Sequence, residues 1–425
     1  MNFYFDADIF RGKKAGIYRY SHEMAVRFLA DPEVDCHFLS GSGLTKKKFV
    51  KAFSEVFDGR VSLYESYVLG NGMCVGRAAR DLYDGARESY KQDPSIKNKL
   101  KREYYRLRSS AENRRLNRLG ASFHLSGRNP IVFSPHNALS DGFFALKSPA
   151  FKVQVVYDLI PVLFRTYFDD TSVFDRVYEN LNRVDLIVTI SDSTRADLVK
   201  LRPDLDPGKI VSIPLAASEH FVPEVDAAKI QKVKKKYGIP IDADYVFSVS
   251  TVEPRKNQLR LVEAWTKIKS SVNMRNPKLV IAGGKGWGKD YLDRLANHDQ
   301  VDKTVIFTGY VDDEDLPVLY SGSILTAYPS LYEGFGIPVL ESMGCGRFCV
   351  TSNVSSIPEI VGPDYPTVNP ESVSEIAELL LSAINDGEFR ERMEQLGFDR
   401  AKLFTWDKVY RETKAAVQAS ASNYF

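Results

Sequence analysis

Short apolar runs of four to six residues recur along the chain, separated by stretches in which apolar residues have helical spacing. The runs are mostly continuous rather than alternating, which is typical of strands buried on both faces of a parallel sheet. They are Asn2–Phe5, Ile131–Ser134, Val153–Val156, Asp185–Ile190, Tyr245–Ser250, Lys278–Ala282, Val305–Thr308 and Ile324–Tyr328. Strands that alternate with helices in this way predict an α/β protein with parallel sheets covered by helices.

The same pattern divides the chain into two parts. A chain of 425 residues with 44% hydrophobic residues can bury two sizeable cores. Proline and small residues interrupt the pattern at Val211–Phe221, and a new series of strands begins at Tyr245. We therefore predict a first domain over residues 1–217, a second over residues 218–403, and a final helical segment over residues 404–425.

A glycine-punctuated loop follows the predicted strand that ends at Tyr328. It carries Glu333, Gly334, Phe335 and Gly336, and Pro338 then stands where a proline is tolerated best, in the first turn of a helix. Free backbone N–H groups and the positive end of a helix dipole suit a diphosphate. Glu341 lies eight residues after Glu333, inside the helix, so the two carboxylates are placed to hold different parts of one elongated ligand.

Two cations follow another predicted strand, in the run Glu253-Pro254-Arg255-Lys256-Asn257. Arg255 and Lys256 stand at a helix start beyond the carboxyl end of that strand, which favours an anion site. Near the amino terminus, Gly16 lies between a strand and a helix and is a candidate for a phosphate-facing turn. Its neighbour Arg19 is either a second ligand contact or an ordinary surface residue.

Polar side chains also follow two strands of the first domain. His136 follows the strand that ends at Ser134, and Tyr157 and Asp158 follow the strand that ends at Val156. Ligands of doubly wound sheets bind at the carboxyl ends of strands, so these three side chains are candidates for substrate contact. A structural role is the competing interpretation for His136.

Composition excludes several classes of function. The net charge of +2 does not indicate a nucleic-acid partner. The cysteines (Cys36, Cys74, Cys345 and Cys349) fit neither a disulfide framework nor a zinc site, so we expect reduced thiols. The opening residues, MNFYFDADIFRGKK, do not fit a secretory signal, and no run of 18 apolar residues predicts a membrane span. We expect a cytoplasmic protein.

Two charged stretches have competing interpretations. The basic stretch Lys97–Arg118, with interleaved tyrosine and leucine, is a solvated helical face, a surface that docks on anionic lipid at the inner membrane face or, least favoured, a nucleic-acid site. The acidic run Asp312–Asp315 could hold a divalent metal. We favour a different interpretation, in which these acids supply the favourable negative charge at the start of the following helix. We therefore predict no metal.

The motifs together resemble those of retaining glycosyltransferases of the GT-B fold, family 4. Glu333 and Glu341 match the family's E-x7-E pattern, with the G-F-G segment between them, Pro329-Ser330 before and Ser356-Ile357-Pro358-Glu359 after. The Glu-Pro-Arg-Lys-Asn run is a second match, similar to bacterial polysaccharide mannosyltransferases. The resemblance implies two Rossmann-like domains that face a central cleft, the first binding the acceptor and the second the nucleotide sugar. It also implies that residues 404–425 cross back to the first domain.

The resemblance assigns roles residue by residue. The implied catalytic residues are Glu333, Lys256, Arg255 and Asp158. The implied donor contacts add Gly16, Tyr310, Val311, Gly334, Phe335, Gly336 and Glu341, and the candidate acceptor contacts are Tyr157, His136 and Arg19. Family members commonly carry a histidine where this chain has Tyr157, so a catalytic histidine is not expected there.

The reaction implied by the resemblance is transfer of a sugar from a nucleoside diphosphate sugar to a hydroxyl with retained configuration. GDP-mannose is the favoured donor, and mannose is the sugar transferred. The acceptor is a glycan or a lipid-linked saccharide of surface polysaccharide synthesis. No cofactor is expected. Two alternatives stand beside it. One is a sugar-nucleotide epimerase of the same fold, and the other is a protein that binds the nucleotide sugar without chemistry.

Overall fold

The computed structural model describes residues 1–6, 16–39, 125, 128–136, 139, 144, 149–167, 171–284, 286 and 303–425. These residues form two parallel sheets, each covered by helices, which confirms the predicted pair of α/β domains. The basic stretch Lys97–Arg118 lies outside the described residues. Within the described part of the chain, no helix combines the length and the apolar character that crossing a bilayer requires.

The sheet of the first domain has six strands in the order β2-β1-β3-β4-β5-β6. All of its pairings are parallel, and β3 and β5 are buried along their whole length. The strands are β1 (Asn2–Asp6), β2 (Asp35–Leu39), β3 (Ile131–Ser134), β4 (Phe151–Val156), β5 (Leu186–Thr189) and β6 (Ile210–Ser212). Its helices in the described part of the chain are α1 (Gly16–Ala30), α2 (Ile160–Leu163), α3 (Ser172–Asn180) and α4 (Asp192–Leu201).

The sheet of the second domain has five strands in the order β11-β10-β7-β8-β9, again all parallel. They are β7 (Tyr245–Val249), β8 (Lys278–Ala282), β9 (Val305–Gly309), β10 (Leu325–Tyr328) and β11 (Cys349–Thr351). The helices are α5 (Ala227–Lys236), α6 (Gln258–Ile268), α7 (Leu316–Gly322), α8 (Ile337–Gly344), α9 (Ile357–Val361), α10 (Val373–Asn385) and α11 (Gly387–Ala401). Because β7 and β10 are neighbours, the loops after them meet at one edge of the sheet.

The last helix, α12 (Trp406–Ser422), packs against the first domain. Its Trp406 is buried against Tyr20 of α1, with ring centroids 6.1 Å apart. Asp31, directly after α1, accepts hydrogen bonds at 2.5 Å from both Tyr410 and Lys414 of α12. The chain therefore crosses between the domains twice, once after β6 and once after α11.

The amino end of α4 docks onto the second domain. The Glu359 carboxylate of α9 accepts hydrogen bonds from the backbone N–H groups of Asp192 (2.8 Å) and Ser193 (2.7 Å). These N–H groups have no partner within their own helix, and a carboxylate there also interacts favourably with the helix dipole. One carboxylate thus caps a helix of the other domain, and we refer to this contact as the Glu359 clamp.

We expect Glu359→Gln to lower the free energy of unfolding by about 1 to 2 kcal/mol, since helix capping and charge–dipole contacts have this size. The amide would place its own N–H group against one of the two N–H donors. Scanning calorimetry measures the effect, with Glu378→Gln, an exposed residue of α10, as the matched control. Equal melting temperatures for the two variants would show that the clamp adds no stability.

Candidate functional site

The site lies around the loop that connects β10 to α8. At Gly334 this loop approaches the first domain so closely that a Cβ atom would lie 2.5 Å from the Tyr157 carbonyl oxygen and 2.7 Å from Asp158 Cβ. Only glycine fits there without movement of the neighbouring backbone. The predicted donor loop and the carboxyl end of β4 therefore face each other directly.

The first domain also holds Gly334 by hydrogen bonds. Ser191 Oγ donates to the Gly334 carbonyl oxygen at 2.7 Å, and Thr194 Oγ1 lies 3.3 Å from the same oxygen. Two residues further on, Gly336 has a φ of 120°, a conformation that side chains disfavour, and it immediately precedes α8. These two glycines fix the direction in which the loop enters the helix.

Glu333 forms a buried cluster with the two predicted cations. Its Oε1 lies 2.7 Å from Lys256 Nζ and its Oε2 lies 2.8 Å from Arg255 Nη1. Glu333 is 6% exposed and Arg255 is 8% exposed, so these charges are largely removed from water. The structure therefore brings together three residues that the sequence placed in two separate motifs. We refer to Glu333, Arg255 and Lys256 as the charge cluster.

Two further side chains contact the cations of the charge cluster. Glu253 Oε1 lies 2.5 Å from Arg255 Nη2, and the Tyr328 hydroxyl lies 2.5 Å from Lys256 Nζ. The two cations are thus balanced by two carboxylates. Sequence reasoning did not assign roles to Glu253 or Tyr328, although Glu253 is part of the motif and Tyr328 ends the strand before the loop.

The position of the cations depends on the turn that carries them. Pro254–Lys256 form a 3-10 turn after β7, and Asn257 then adopts a left-handed φ of 63°. The Asn257 amide donates hydrogen bonds to the Pro329 carbonyl (2.9 Å) and the Pro370 carbonyl (2.7 Å). This side chain ties the cation turn to the segment that follows β10.

The charge cluster perturbs the pKa values of its members. Burial alone would raise the pKa of the Glu333 carboxyl, but Lys256 and Arg255 outweigh burial and lower that pKa to about 2. Burial lowers the pKa of Lys256 below its ordinary value, against the opposing effect of Glu333. Glu333 is therefore ionised at any physiological pH.

Asp158, a predicted catalytic residue, lies at the carboxyl end of β4 opposite Gly334. Its Oδ1 accepts a hydrogen bond from the Ile160 N–H at 2.9 Å. Burial raises the pKa of Asp158, partly offset by that hydrogen bond and by Arg255. Asp158 thus shares the electrostatic environment of the charge cluster from the other domain.

The predicted acceptor residues Tyr157 and His136 are neighbours in the first domain. Their rings meet edge to face with centroids 6.3 Å apart, and Tyr157 also contacts the ring of Tyr20. Burial lowers the pKa of His136, which favours the neutral imidazole. The third candidate, Arg19, lies elsewhere, beside Glu341.

Glu341 is 6% exposed and is held from both domains. Arg19 Nη1 lies 3.2 Å from its Oε1, and the Tyr320 hydroxyl lies 3.1 Å from its Oε2. Burial raises the pKa of Glu341, whereas Arg19 and Tyr320 counteract this shift. Tyr320 was not predicted from the sequence, and nothing in its local pattern distinguishes it from an ordinary core tyrosine of α7.

The remaining predicted donor residues differ in how far their side chains are exposed to solvent. Gly16 opens α1, and the Tyr310 side chain after β9 is 68% exposed. Val311 and Phe335 are buried in the hydrophobic core, at 4% and 3% exposure. Their side chains pack within the protein, so a ligand contact there would use backbone groups.

The acidic run Asp312–Asp315 lies in the turn before α7, which begins at Leu316. Asp312 and Asp315 both pair with Lys236, at 2.8 and 2.5 Å, and Asp313 lies 3.4 Å from Arg19. In the described part of the chain, no three acidic, histidine or cysteine side chains are arranged to hold a metal ion.

Comparisons with known proteins place the chain among glycosyltransferases. The family profile described as "Glycosyl transferases group 1" matches residues 229–400, which include the charge cluster and Glu341. The O-antigen chain mannosyltransferase B of Escherichia coli is 35% identical over 263 residues, covering 58% of this chain and 68% of that protein. The serotype-specific mannosyltransferase WbdA of Escherichia coli is 31% identical over 260 residues, covering 60% of this chain but 32% of that protein.

A solved structure with the same architecture is HepE (Alr3699) of Anabaena, crystallised in complex with UDP and glucose. It superposes with a TM-score of 0.67 over 99% of this chain and 100% of that chain, at 15% sequence identity. This likeness shows the fold and confirms the GT-B architecture that the sequence resemblance implied.

Glu333→Gln should lower the free energy of unfolding by about 3 kcal/mol near neutral pH, because it leaves two buried cations without their shared counter-charge. The folded-state pKa of about 2 lies below the ordinary value of 4.5, so this stabilisation is complete above pH 4.5 and is lost as the pH falls towards 2. The difference from wild type should therefore be constant between neutral pH and about pH 5, and shrink below pH 4.5.

Urea denaturation across this pH range measures the difference. Glu391→Gln, which replaces an exposed glutamate of α11, is the control and should match wild type throughout. A Glu333→Gln variant as stable as this control would mean that Glu333 does not offset the two cations.

Proposed function

The chain belongs to the group 1 glycosyltransferases, and from this we propose that it transfers mannose from GDP-mannose to a hydroxyl of a growing surface glycan. The observation that carries the proposal is the charge cluster, which lies beside Asp158 where the two domains meet. The names of both Escherichia coli relatives support mannose as the sugar, and the name of the first supports a bacterial O-antigen as the class of product.

In the proposed reaction, the cations stabilise the diphosphate as negative charge develops on it. Glu333 and Glu253 neutralise Arg255 and Lys256, so these four side chains together carry no net charge. We infer that donor binding shifts Glu333 from the cations to hydroxyls of the sugar. The diphosphate then takes the released cation contacts, and the N–H groups at the start of α8 face its oxygens.

The rest of the donor would extend along the second domain. Glu341 would accept hydrogen bonds from the ribose hydroxyls, and backbone groups at Tyr310 and Val311 would contact the base. The N–H groups of Phe335 and Gly336 would bind sugar hydroxyls, with Gly334 leaving room between them and Asp158. Gly16 at the start of α1 would approach the phosphates from the first domain.

The acceptor would enter from the first domain, past Tyr157 and His136, with Asp158 nearest the reacting carbon. We propose retention of configuration: the acceptor oxygen bonds to the anomeric carbon on the face from which the diphosphate leaves. A phosphate oxygen of the departing group takes the acceptor proton. No bound metal or other cofactor takes part, since the protein's own cations and helix dipole neutralise the leaving group.

The acceptor is a saccharide, free or lipid-linked, and the reaction would take place in the cytoplasm at the inner face of the membrane. Docking on anionic lipid through Lys97–Arg118 stays a prediction from the sequence.

The proposal is tested by incubating the protein with GDP-mannose and a mannose-terminated glycan. Mass spectrometry should show the acceptor heavier by one hexose, and Lys256→Ala should lower turnover at least about a hundredfold, the size of effect seen when one charge-stabilising donor is lost. Lys267→Ala, an exposed lysine of α6, is the control and should retain activity. Formation of a new sugar nucleotide in the absence of acceptor would instead indicate an epimerase. Nucleotide binding without formation of any product would indicate a binding protein.

The chemistry makes a separate prediction. The new linkage should be α, as in the donor, and the rate should be unchanged after dialysis against EDTA, because no step passes through a metal ion. NMR coupling constants of the product and initial rates with and without EDTA measure the two. A β linkage, or activity lost with EDTA and restored by Mg²⁺, would contradict the proposed chemistry.

A further inference from the structure

Arg19 of α1 lies against the predicted nucleoside subsite. Its Nη1 lies 3.2 Å from Glu341 Oε1, and the two residues are 322 positions apart in the chain and in different domains. The helix is anchored by Tyr20, Met24 and Phe28, which are buried in the core of the first domain. The guanidinium is therefore presented to the second domain by a rigid element.

Three groups hold the Arg19 guanidinium in place. Its Nη2 lies 3.4 Å from Asp313 Oδ2, and its Cζ lies 5.8 Å from the centre of the Phe221 ring. With Glu341, these contacts fix both the position and the plane of the guanidinium. The side chain is 21% exposed, against 8% for the Glu341 side chain, so the ion pair is shielded from water.

Among the described residues, Arg19 engages one oxygen of Glu341 and Tyr320 engages the other. An ionised carboxylate offers about four acceptor positions and no donor. The described residues therefore leave two positions, which matches the two O–H donors of a ribose diol. Arg19 and Tyr320 together set the direction in which the free positions point.

We propose that Arg19 is a positioning residue of the donor site, which from the first domain orients Glu341 to accept the ribose hydroxyls. This role rests on the proposed function, in which Glu341 binds the ribose. It differs from the acceptor contact that the sequence suggested for Arg19. The nucleoside subsite is then complete only when both domains contribute, so donor binding favours the arrangement in which Arg19 of α1 reaches Glu341 of α8.

The test uses calorimetric titration with GDP, UDP and ADP to find the diphosphate that binds best, followed by its 2′,3′-dideoxy form. For the ribonucleotide, Arg19→Ala should raise the dissociation constant about tenfold, as expected for loss of one charge-assisted hydrogen bond. For the dideoxy form, wild type and Arg19→Ala should bind equally. At saturating donor, turnover should stay within about twofold of wild type, since a loss in binding alone raises KM and not kcat.

The controls separate positioning from folding. Arg27→Ala removes an arginine of α1 with similar exposure (17%) that pairs with Asp407 instead, and it should not change either dissociation constant. Arg19→Lys keeps the positive charge, so it should recover part of the affinity for the ribonucleotide. The recovery should be incomplete, because an ammonium group cannot contact two carboxylates in one plane as a guanidinium does. In the double variant with Glu341→Gln, loss of Arg19 should add little to the effect of Glu341→Gln alone.

The outcomes distinguish this inference from the proposed function. If Arg19→Ala weakens binding of the ribonucleotide and of the dideoxynucleotide equally, or weakens the binding of neither, Arg19 does not act through the ribose and the inference is wrong. If Glu341→Gln also leaves both dissociation constants unchanged, the ribose contact assigned to Glu341 is wrong as well. If the wild-type protein binds none of the three nucleoside diphosphates, the proposed donor site itself is overturned.

Discussion

The arrangement of the site depends on one buried carboxylate shared by two buried cations. Taking each of these ions out of water costs several kcal/mol, and their contacts with one another and with Glu253 and Tyr328 offset that cost. Glu333 follows β10, whereas Arg255 and Lys256 follow β7, so the contacts can form only because these two strands are neighbours in the sheet. The charges therefore determine how the two loops lie relative to each other, and a ligand that offers new partners can rearrange them.

The same loop is held from its other side by the first domain. Gly334 follows Glu333 directly, and its carbonyl oxygen accepts a hydrogen bond from the Ser191 hydroxyl. Because glycine has no side chain, Asp158 has room to lie beside it. The carboxylate is thus positioned by its own domain through charge and by the other domain through backbone contact. Loss of either contact would therefore remove one of the two constraints on the position of Glu333 relative to Asp158.

Sequence patterns predicted the elements with long apolar runs and missed those without them. The strand Lys278–Ala282 was predicted to the residue, because its side chains are apolar on both faces. The strand Asp35–Leu39 was not predicted, since its sequence DCHFL mixes acidic, imidazole and apolar side chains. The charge cluster was predicted as two motifs, but the hydrogen bond of Tyr320 to Glu341 was not. Contacts of that kind depend on tertiary packing, and the local sequence carries no sign of them.

The return of α12 to the first domain has a mechanical consequence. Two domains joined by a single linker can twist and bend about it in any direction, whereas two separate connections remove most of that freedom. Any motion between the two domains would then be limited to rotation about the line that passes through both connections. The salt bridge between Lys414 and Asp31 fastens the second connection. Opening and closing would then repeat along one path, and each closure would return Arg19 and Asp158 to the same places beside the second domain.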